Sequence, residues 1–223
     1  MNNQLSVLKK LLDKNLSEMG FSCITSEKGA INYARELEER IHLFGFAYST
    51  YADTFTLDHF GCSIIFKDVE KVITPLLVKN KLVGESYSLS ATFRKDNHKS
   101  NINDHPIELN SQLDTSAAYV QIINFYELDC QEFFDQYDSV NDVLGFIHEM
   151  ELSQLNSCLG TGAIFKKILI YHLANHEDTD SLFVALMNQV QEGMKSNPNE
   201  DLYQSYHDIL IEIDKIISKK ELV

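Results

Sequence analysis

The stretch that decides the fold is residues 30–66, AINYARELEERIHLFGFAYSTYADTFTLDHFGCSIIF. Apolar and aromatic residues recur in it at a spacing of two, with breaks near residues 38–39 and 51–53. Period-two patterning rich in aromatic and β-branched residues indicates antiparallel strands with one buried face. We therefore expect three strands joined by turns, the second of which carries an aromatic row of His42, Phe44, Phe46 and Tyr48.

The residues before this stretch predict a helix. Apolar residues recur there at three- and four-residue steps, and Gly20 follows at the position where helices commonly end. After the stretch, Asp68 begins a second helix that Pro75 interrupts or kinks. The periodic positions of the first helix are Leu5, Leu8, Leu12, Leu16 and Met19.

The rest of the chain changes from strand to helix patterning. From Tyr87 to Phe93 apolar residues alternate with Ser and Thr, as in a half-buried strand. Residues 95–115 are polar and predict a long loop, and Ala117 to Tyr126 reads as a last strand. Helices are then expected at about residues 129–137, 139–149, 163–176, 180–194 and 199–219.

Together these patterns predict an α+β protein. An N-terminal helix covers an antiparallel sheet of about four to six strands, and an all-helical C-terminal half follows. The expected organisation is a sheet domain at 1–127 and a helical subdomain packed on it at 128–223, as two bodies or as one continuous domain.

The composition is that of a globular protein, with 44% hydrophobic residues in a chain of 223. No apolar run approaches the roughly 20 residues of a membrane helix, and Met1 to Gln4 lack the pattern of a secretory signal. The cysteines form no Cys-x-x-Cys pair, so we expect reduced, mostly buried thiols and a cytoplasmic location. These cysteines are Cys23, Cys62, Cys130 and Cys158.

The net charge of −14 is concentrated in the middle of the chain. From Ser100 to Phe165 there is no Lys or Arg, which disfavours binding to the phosphates of nucleic acid. Two interpretations of this acidic segment remain: a solvated surface, or a docking face for a basic protein partner. The candidate partner-binding residues are Glu127, Asp129, Glu132, Asp135, Asp138, Asp142, Glu149 and Glu151.

The first seventy residues or so also carry a resemblance. The order of a helix, Gly20-Phe21, a Tyr33-x-Arg35 strand and then Phe55-Thr56 with Gly61 resembles an uncharacterised bacterial domain family. The family has no established activity or catalytic residues, so the resemblance implies none for this chain. Acidic single-domain proteins of this kind are similar to immunity proteins encoded beside bacterial toxins, so the resemblance implies a toxin-neutralising role.

Histidine pairs are the first candidates for a metal site. His172 and His176 are four apart in a predicted helix, which places both imidazoles on one face. The zincin pattern needs Glu directly after the first His, where Leu173 stands, and no third ligand is identifiable. Histidines at a helix end are the better interpretation. A second set lies in the polar loop without rigid support: Asp96, His98, Asp104 and His105.

No stretch carries a catalytic signature. Gly160-Thr161-Gly162 lacks the Walker pattern and is interpreted as a joint between helices. Cys158 and His148 lack a third orienting group. Surface charge is the better interpretation of the pairs Glu132/Asp135 and Glu149/Glu151, and core packing that of Tyr33, Phe44, Phe46 and Tyr48. We therefore predict no catalytic residue, no cofactor and no metal.

Three hypotheses follow from the sequence. The leading one is a non-enzymatic cytoplasmic binding protein whose acidic face docks on a basic partner, and immunity against a toxin is its sharpest form. The alternative is an enzyme or small-molecule-binding protein with a pocket between sheet and helices. The third is a homo-oligomer joined through the terminal helix. The sequence leaves the oligomeric state open.

Overall fold

A computed structural model describes residues 3–24, 29–51, 54–84, 93–94 and 99–219. It confirms the predicted α+β class, with an N-terminal helix, an antiparallel sheet and a helical C-terminal half. The strands are β1 (Ser22–Ile24), β2 (Ala30–Glu36), β3 (Arg40–Tyr51), β4 (Thr54–Phe66), β5 (Phe93–Arg94) and β6 (Ile107–Glu108). The helices are α1 (Asn3–Glu18), α2 (Lys67–Lys79), α3 (Gln112–Phe125), α4 (Glu132–Gln136), α5 (Val140–Ile147), α6 (Leu152–Leu159), α7 (Ala163–Leu173), α8 (Thr179–Ser196) and α9 (Asp201–Lys219).

The chain divides into two compact units, each made of two segments. Met1–Ile65 and Arg94–Tyr137 form the first unit, and Phe66–Phe93 and Asp138–Val223 form the second. The predicted division at residue 127 stays a prediction. Within the described ranges, no helix combines the length and apolar character needed to cross a membrane.

The meander of residues 30–66 forms the centre of the sheet. The strand order is β1-β2-β3-β4-β5, and β6 pairs with β4. Strand β2 is antiparallel to β3, with Tyr33 opposite Phe44 and their rings stacked at 5.3 Å. Because side chains alternate between the two faces of a strand, the aromatic row of β3 lies inside. His42, Phe44 and Phe46 are buried, while Tyr48 is half-buried.

Along strand β4 the buried positions change from odd-numbered to even-numbered residues. Phe55 and Leu57 are buried before the change, and Phe60 and Cys62 are buried after it. Between them His59 has a left-handed φ of 50°, which is costly for a residue with a side chain. One extra residue at a strained position is the property of a β-bulge.

Helix α1 ends where the sequence predicts. Gly20, with φ of 82°, donates its N–H to Ser17 at 3.1 Å, and Phe21 donates to Leu16 at 2.9 Å. This pair of bonds is the Schellman motif, in which glycine takes the left-handed position at no steric cost. The motif turns Phe21 back into the core, where its ring contacts Phe44 at 5.4 Å. Four of the predicted periodic positions are fully buried: Leu5, Leu8, Leu12 and Leu16.

The predicted last strand, Ala117 to Tyr126, is wrong, because these residues belong to a helix. Helix α3 begins after Ser111, whose side chain accepts from Asp114 N while the Asp114 carboxylate accepts from Ser111 N. This capping box fixes the start of the helix. The predicted loop is also shorter than expected, since β6 and the first turn of α3 lie inside residues 95–115.

Other elements differ from prediction in detail. Helix α2 continues through Pro75. Helix α6 was not predicted, and a π-helical segment, Tyr126–Gln131, joins α3 to α4. Of the predicted strand from Tyr87, only Phe93 lies inside the described residues. The four cysteines are free thiols, three of them buried, as expected.

Candidate partner-binding face

Helix α3, the π-helical segment and α4 form one helical stretch, residues 112–136, with two unlike sides. The inner side packs into the first unit through buried residues at three- and four-residue steps. Three large apolar residues lie on the exposed side: Leu113 is 79% exposed, Val120 55% and Leu128 53%. The buried set includes Ala118, Ile122, Phe125, Cys130, Phe133 and Phe134.

The π-helical segment affects which residues line up along the exposed side. Leu113 and Val120 are seven residues apart, close to two α-helical turns, but Val120 and Leu128 are eight apart. A π-turn closes with an i→i+5 hydrogen bond and so accommodates one extra residue. The eight-residue step therefore keeps Leu128 near the line of the other two. We call these three residues the apolar row.

The acidic candidates of the first unit continue this side toward the end of α4. Glu127, Glu132 and Asp135 are exposed, and with Gln131 and Gln136 they line a shallow depression of about 670 Å³. Glu132 pairs with Lys99 at 2.5 Å, and both side chains are more than half exposed. Such an exposed pair contributes little stability, so the carboxylate remains accessible to a partner. We call Glu127, Glu132 and Asp135 the acidic trio.

The other predicted residues do not join this trio. Asp129 is fully buried, and its carboxylate accepts backbone N–H groups of Lys99 at 2.6 Å and Ser100 at 3.0 Å. It therefore holds the turn at residues 99–100. Asp138, Asp142, Glu149 and Glu151 are exposed in the second unit. At the start of α5 the Asp142 carboxylate accepts from Ser139 N–H, and at the start of α6 the Gln154 side chain accepts from Glu151 N–H.

Two arginines of the first unit surround a buried histidine. Arg35 Nη2 lies 2.9 Å from His42 Nδ1, and Arg40 Nε lies 3.2 Å from His42 Nε2. The His42 ring is 2% exposed and stacks on Phe134 at 4.3 Å. Burial, followed by the charges of Arg35 and Arg40, lowers the pKa of His42 to about 3. His42 is therefore a neutral core residue near physiological pH.

The predicted loop histidines are only partly described. His98 and Asp96 lie outside the described residues. His105 lines a cleft of about 550 Å³ with Asp58 and the strained His59. Asn103, which also lines this cleft, makes two hydrogen bonds to the backbone of Phe60. Its Nδ2 donates to the Phe60 carbonyl and its Oδ1 accepts from the Phe60 N–H, both at 2.8 Å, as the backbone of a paired strand would.

The sequence predicts that His172 and His176 lie on one face of a helix, but in the structure they do not. Helix α7 ends at Leu173, so His176 follows the helix, and His172 is half-buried with its pKa lowered by burial. His176 instead lies beside His148 and Tyr171, with ring centroids 5.1 and 4.8 Å away. Nothing in the i, i+4 spacing shows this arrangement, because it depends on where the helix stops.

The remaining candidate motifs have structural roles. Cys158 is buried, with Sγ 3.6 Å from Leu155 O, while His148 contacts Tyr171. Gly160 and Gly162 have left-handed φ angles of 65° and 77° at the end of α6 and the start of α7, so they form the predicted joint between helices.

Compared with known proteins, the chain matches no family model, no curated protein and no solved structure.

Proposed function

We propose that this is a non-enzymatic cytoplasmic binding protein that docks on a basic protein through the exposed side of residues 112–136. The observation that carries the proposal is that the apolar row and the acidic trio lie on one continuous helical stretch. Exposed apolar residues in a line provide contact area, and adjacent carboxylates provide charge complementarity.

The charge of this surface selects the class of partner. The helical stretch contains no Lys or Arg, and the whole chain carries a net charge of −14. A basic protein is attracted to such a field, whereas nucleic acid and other acidic proteins are repelled. Because acidic single-domain proteins of this kind are similar to immunity proteins encoded beside bacterial toxins, a basic protein toxin is the most specific partner that we propose.

The test compares two variants that change the net charge equally. In the first, the acidic trio is neutralised as Glu127→Gln, Glu132→Gln and Asp135→Asn. In the matched control, three exposed carboxylates outside this face are neutralised as Glu18→Gln, Glu192→Gln and Glu200→Gln. Each protein is immobilised, exposed to lysate of the native host and eluted with rising salt, and the eluates are identified by mass spectrometry.

We expect one basic protein to bind the native chain and the control, and to bind the trio variant roughly 3- to 150-fold more weakly, at about 0.2–1 kcal/mol for each of the three charges. A second variant, Leu113→Ser with Val120→Ser, should weaken the same complex with little change in its salt dependence. If the trio variant and the control lose the same affinity, binding depends on net charge alone and not on the position of the three carboxylates. Unchanged binding in both the trio and the apolar variants would refute the proposed face.

A further inference from the structure

A cluster of polar side chains in the second unit is separate from the proposed docking face. It lies where the end of α5 packs on α7, and it contains His148, His176 and Asp178. One ligand atom from each residue, an imidazole nitrogen or a carboxylate oxygen, lies within 4.8 Å of the other two. Two imidazoles and one carboxylate are a ligand set that divalent transition metals prefer.

Helix α7 holds His148 in a defined orientation. Lys167 Nζ and Tyr171 Oη donate to the His148 carbonyl oxygen at 3.0 and 3.3 Å. Tyr171 Oη also lies 2.7 Å from His148 Nδ1. In the Nδ1–H tautomer of His148, the Tyr171 hydroxyl accepts from Nδ1–H and donates to the carbonyl, and the lone pair of the neutral ring is on Nε2. In that tautomer Tyr171 would orient His148 with Nε2 open to a metal, as the hydrogen-bond partners of metal-bound histidines do.

The end of α7 brings His176 to the same place. Asn175 takes a left-handed φ of 52° and donates to His172 O at 2.9 Å, and His176 donates to Tyr171 O at 2.9 Å. These bonds form a Schellman motif, in which the residue at the His176 position commonly packs on the residue at the Tyr171 position. The capping motif therefore folds the His176 ring back over Tyr171 and toward His148.

Asp178 supplies the third group. Its Oδ2 lies 3.8 Å from His176 Nδ1, and its backbone N–H donates to the same nitrogen at 3.2 Å. This hydrogen bond occupies the Nδ1 lone pair in the metal-free protein, so a metal ion bound at Nδ1 would replace the backbone N–H of Asp178. Asp178 and His148 are exposed and His176 is half-buried, which leaves the group open to solvent ions.

We propose that His148, His176 and Asp178 bind one Zn²⁺ ion, with water as the fourth ligand. Three protein ligands and an open position are the arrangement of accessible zinc sites. Binding requires the ligand atoms, which lie up to 4.8 Å apart, to draw together until each is about 2.0–2.2 Å from the ion. The proposal is independent of the docking face, because it uses only residues of the second unit.

The test measures Zn²⁺ binding to the whole protein by isothermal titration calorimetry and by equilibrium dialysis. We expect one ion per chain for the native protein. The variants His148→Gln, His176→Gln and Asp178→Asn should each weaken binding at least 10-fold. Glu177→Gln is the matched control, because it removes an exposed neighbouring carboxylate that is outside the cluster. The variant Tyr171→Phe should weaken binding by about 10-fold through loss of the second-shell partner.

Folding is checked separately by circular dichroism of each metal-free variant. The three ligand variants should keep the native spectrum and melt within a few degrees of the native protein, since His148 and Asp178 are exposed and His176 is half-buried. In saturating Zn²⁺ the native protein should melt at a higher temperature, and the three ligand variants should not. If folded ligand variants bind Zn²⁺ as tightly as the native protein and Glu177→Gln, the site is refuted. The absence of stoichiometric binding to the native protein would refute it as well.

Discussion

Acidification should destabilise this protein through His42 by an amount that one substitution can isolate. The ring is 2% exposed, and its two nitrogens face the guanidinium groups of Arg35 and Arg40 at 2.9 and 3.2 Å. A guanidinium only donates hydrogen bonds, so an imidazolium at this position would direct both of its N–H groups at donors and add a third positive charge. The neutral ring is therefore strongly preferred in the folded state.

The sign and size of the effect follow from the two pKa values. The folded-state pKa of His42 is lowered to about 3, while an unfolded histidine titrates near about 6.5. Between these values the unfolded chain binds a proton that the folded chain does not, so stability is complete above about pH 6.5 and is lost as the pH falls toward 3. From pH 7 to pH 4 the loss is on the order of 3 kcal/mol, because one pH unit corresponds to about 1.36 kcal/mol.

The assay is urea unfolding at pH 7 and pH 4, at constant ionic strength, for the native protein, His42→Gln and His105→Gln. Other groups also titrate in this range, so the measured quantity is the difference between the two pH values for each protein. We expect the native protein and His105→Gln, which lacks an exposed histidine, to lose about 3 kcal/mol more than His42→Gln. Equal losses in all three proteins would refute the reasoning.

Three further predictions concern stability measured by urea unfolding. Lys166→Met should cost about 3–5 kcal/mol, because it removes the partner 2.9 Å from the buried Glu70 carboxylate, and adding Glu70→Leu should recover most of that loss. Gly45→Ala should cost about 1–3 kcal/mol, since the new Cβ would lie 2.5 Å from the Ile31 carbonyl oxygen; an unchanged midpoint would contradict this contact. Asn175→Ala should cost about 1 kcal/mol at its left-handed φ, whereas Asn175→Gly should not destabilise.

Features that depend on neighbouring residues could be predicted well. The leucine spacing and Gly20 predicted α1 and its end, because helix periodicity and the left-handed cap are local properties. The alternation of residues 30–66 predicted the three central strands for the same reason. Residues 117–126 were wrongly predicted, since their β-branched residues indicate a strand while the capping box at Ser111 and Asp114 begins a helix.

The candidate sites could be predicted only in part. The sequence located the acidic segment, and three of the eight candidate residues are exposed together on α4 and the π-helical segment. Sequence spacing did not show that Asp129 is buried under the turn at 99–100. Leu113, Val120 and Leu128 were not recognised as a row, because a periodic apolar residue alone does not reveal whether a neighbour covers it.

By itself, the sequence determined the α+β class, the central strands, the first helix and the acidic character of the middle segment, since each depends on composition or on contacts within a few residues. Only the tertiary structure decided which carboxylates are exposed, that two arginines surround His42, and that His176 meets His148 rather than His172. The physical reason is that burial and pairing depend on segments distant in sequence. His176 and His148 are 28 residues apart in the chain, and the Schellman motif at Asn175, together with the packing of α5 on α7, brings their rings together.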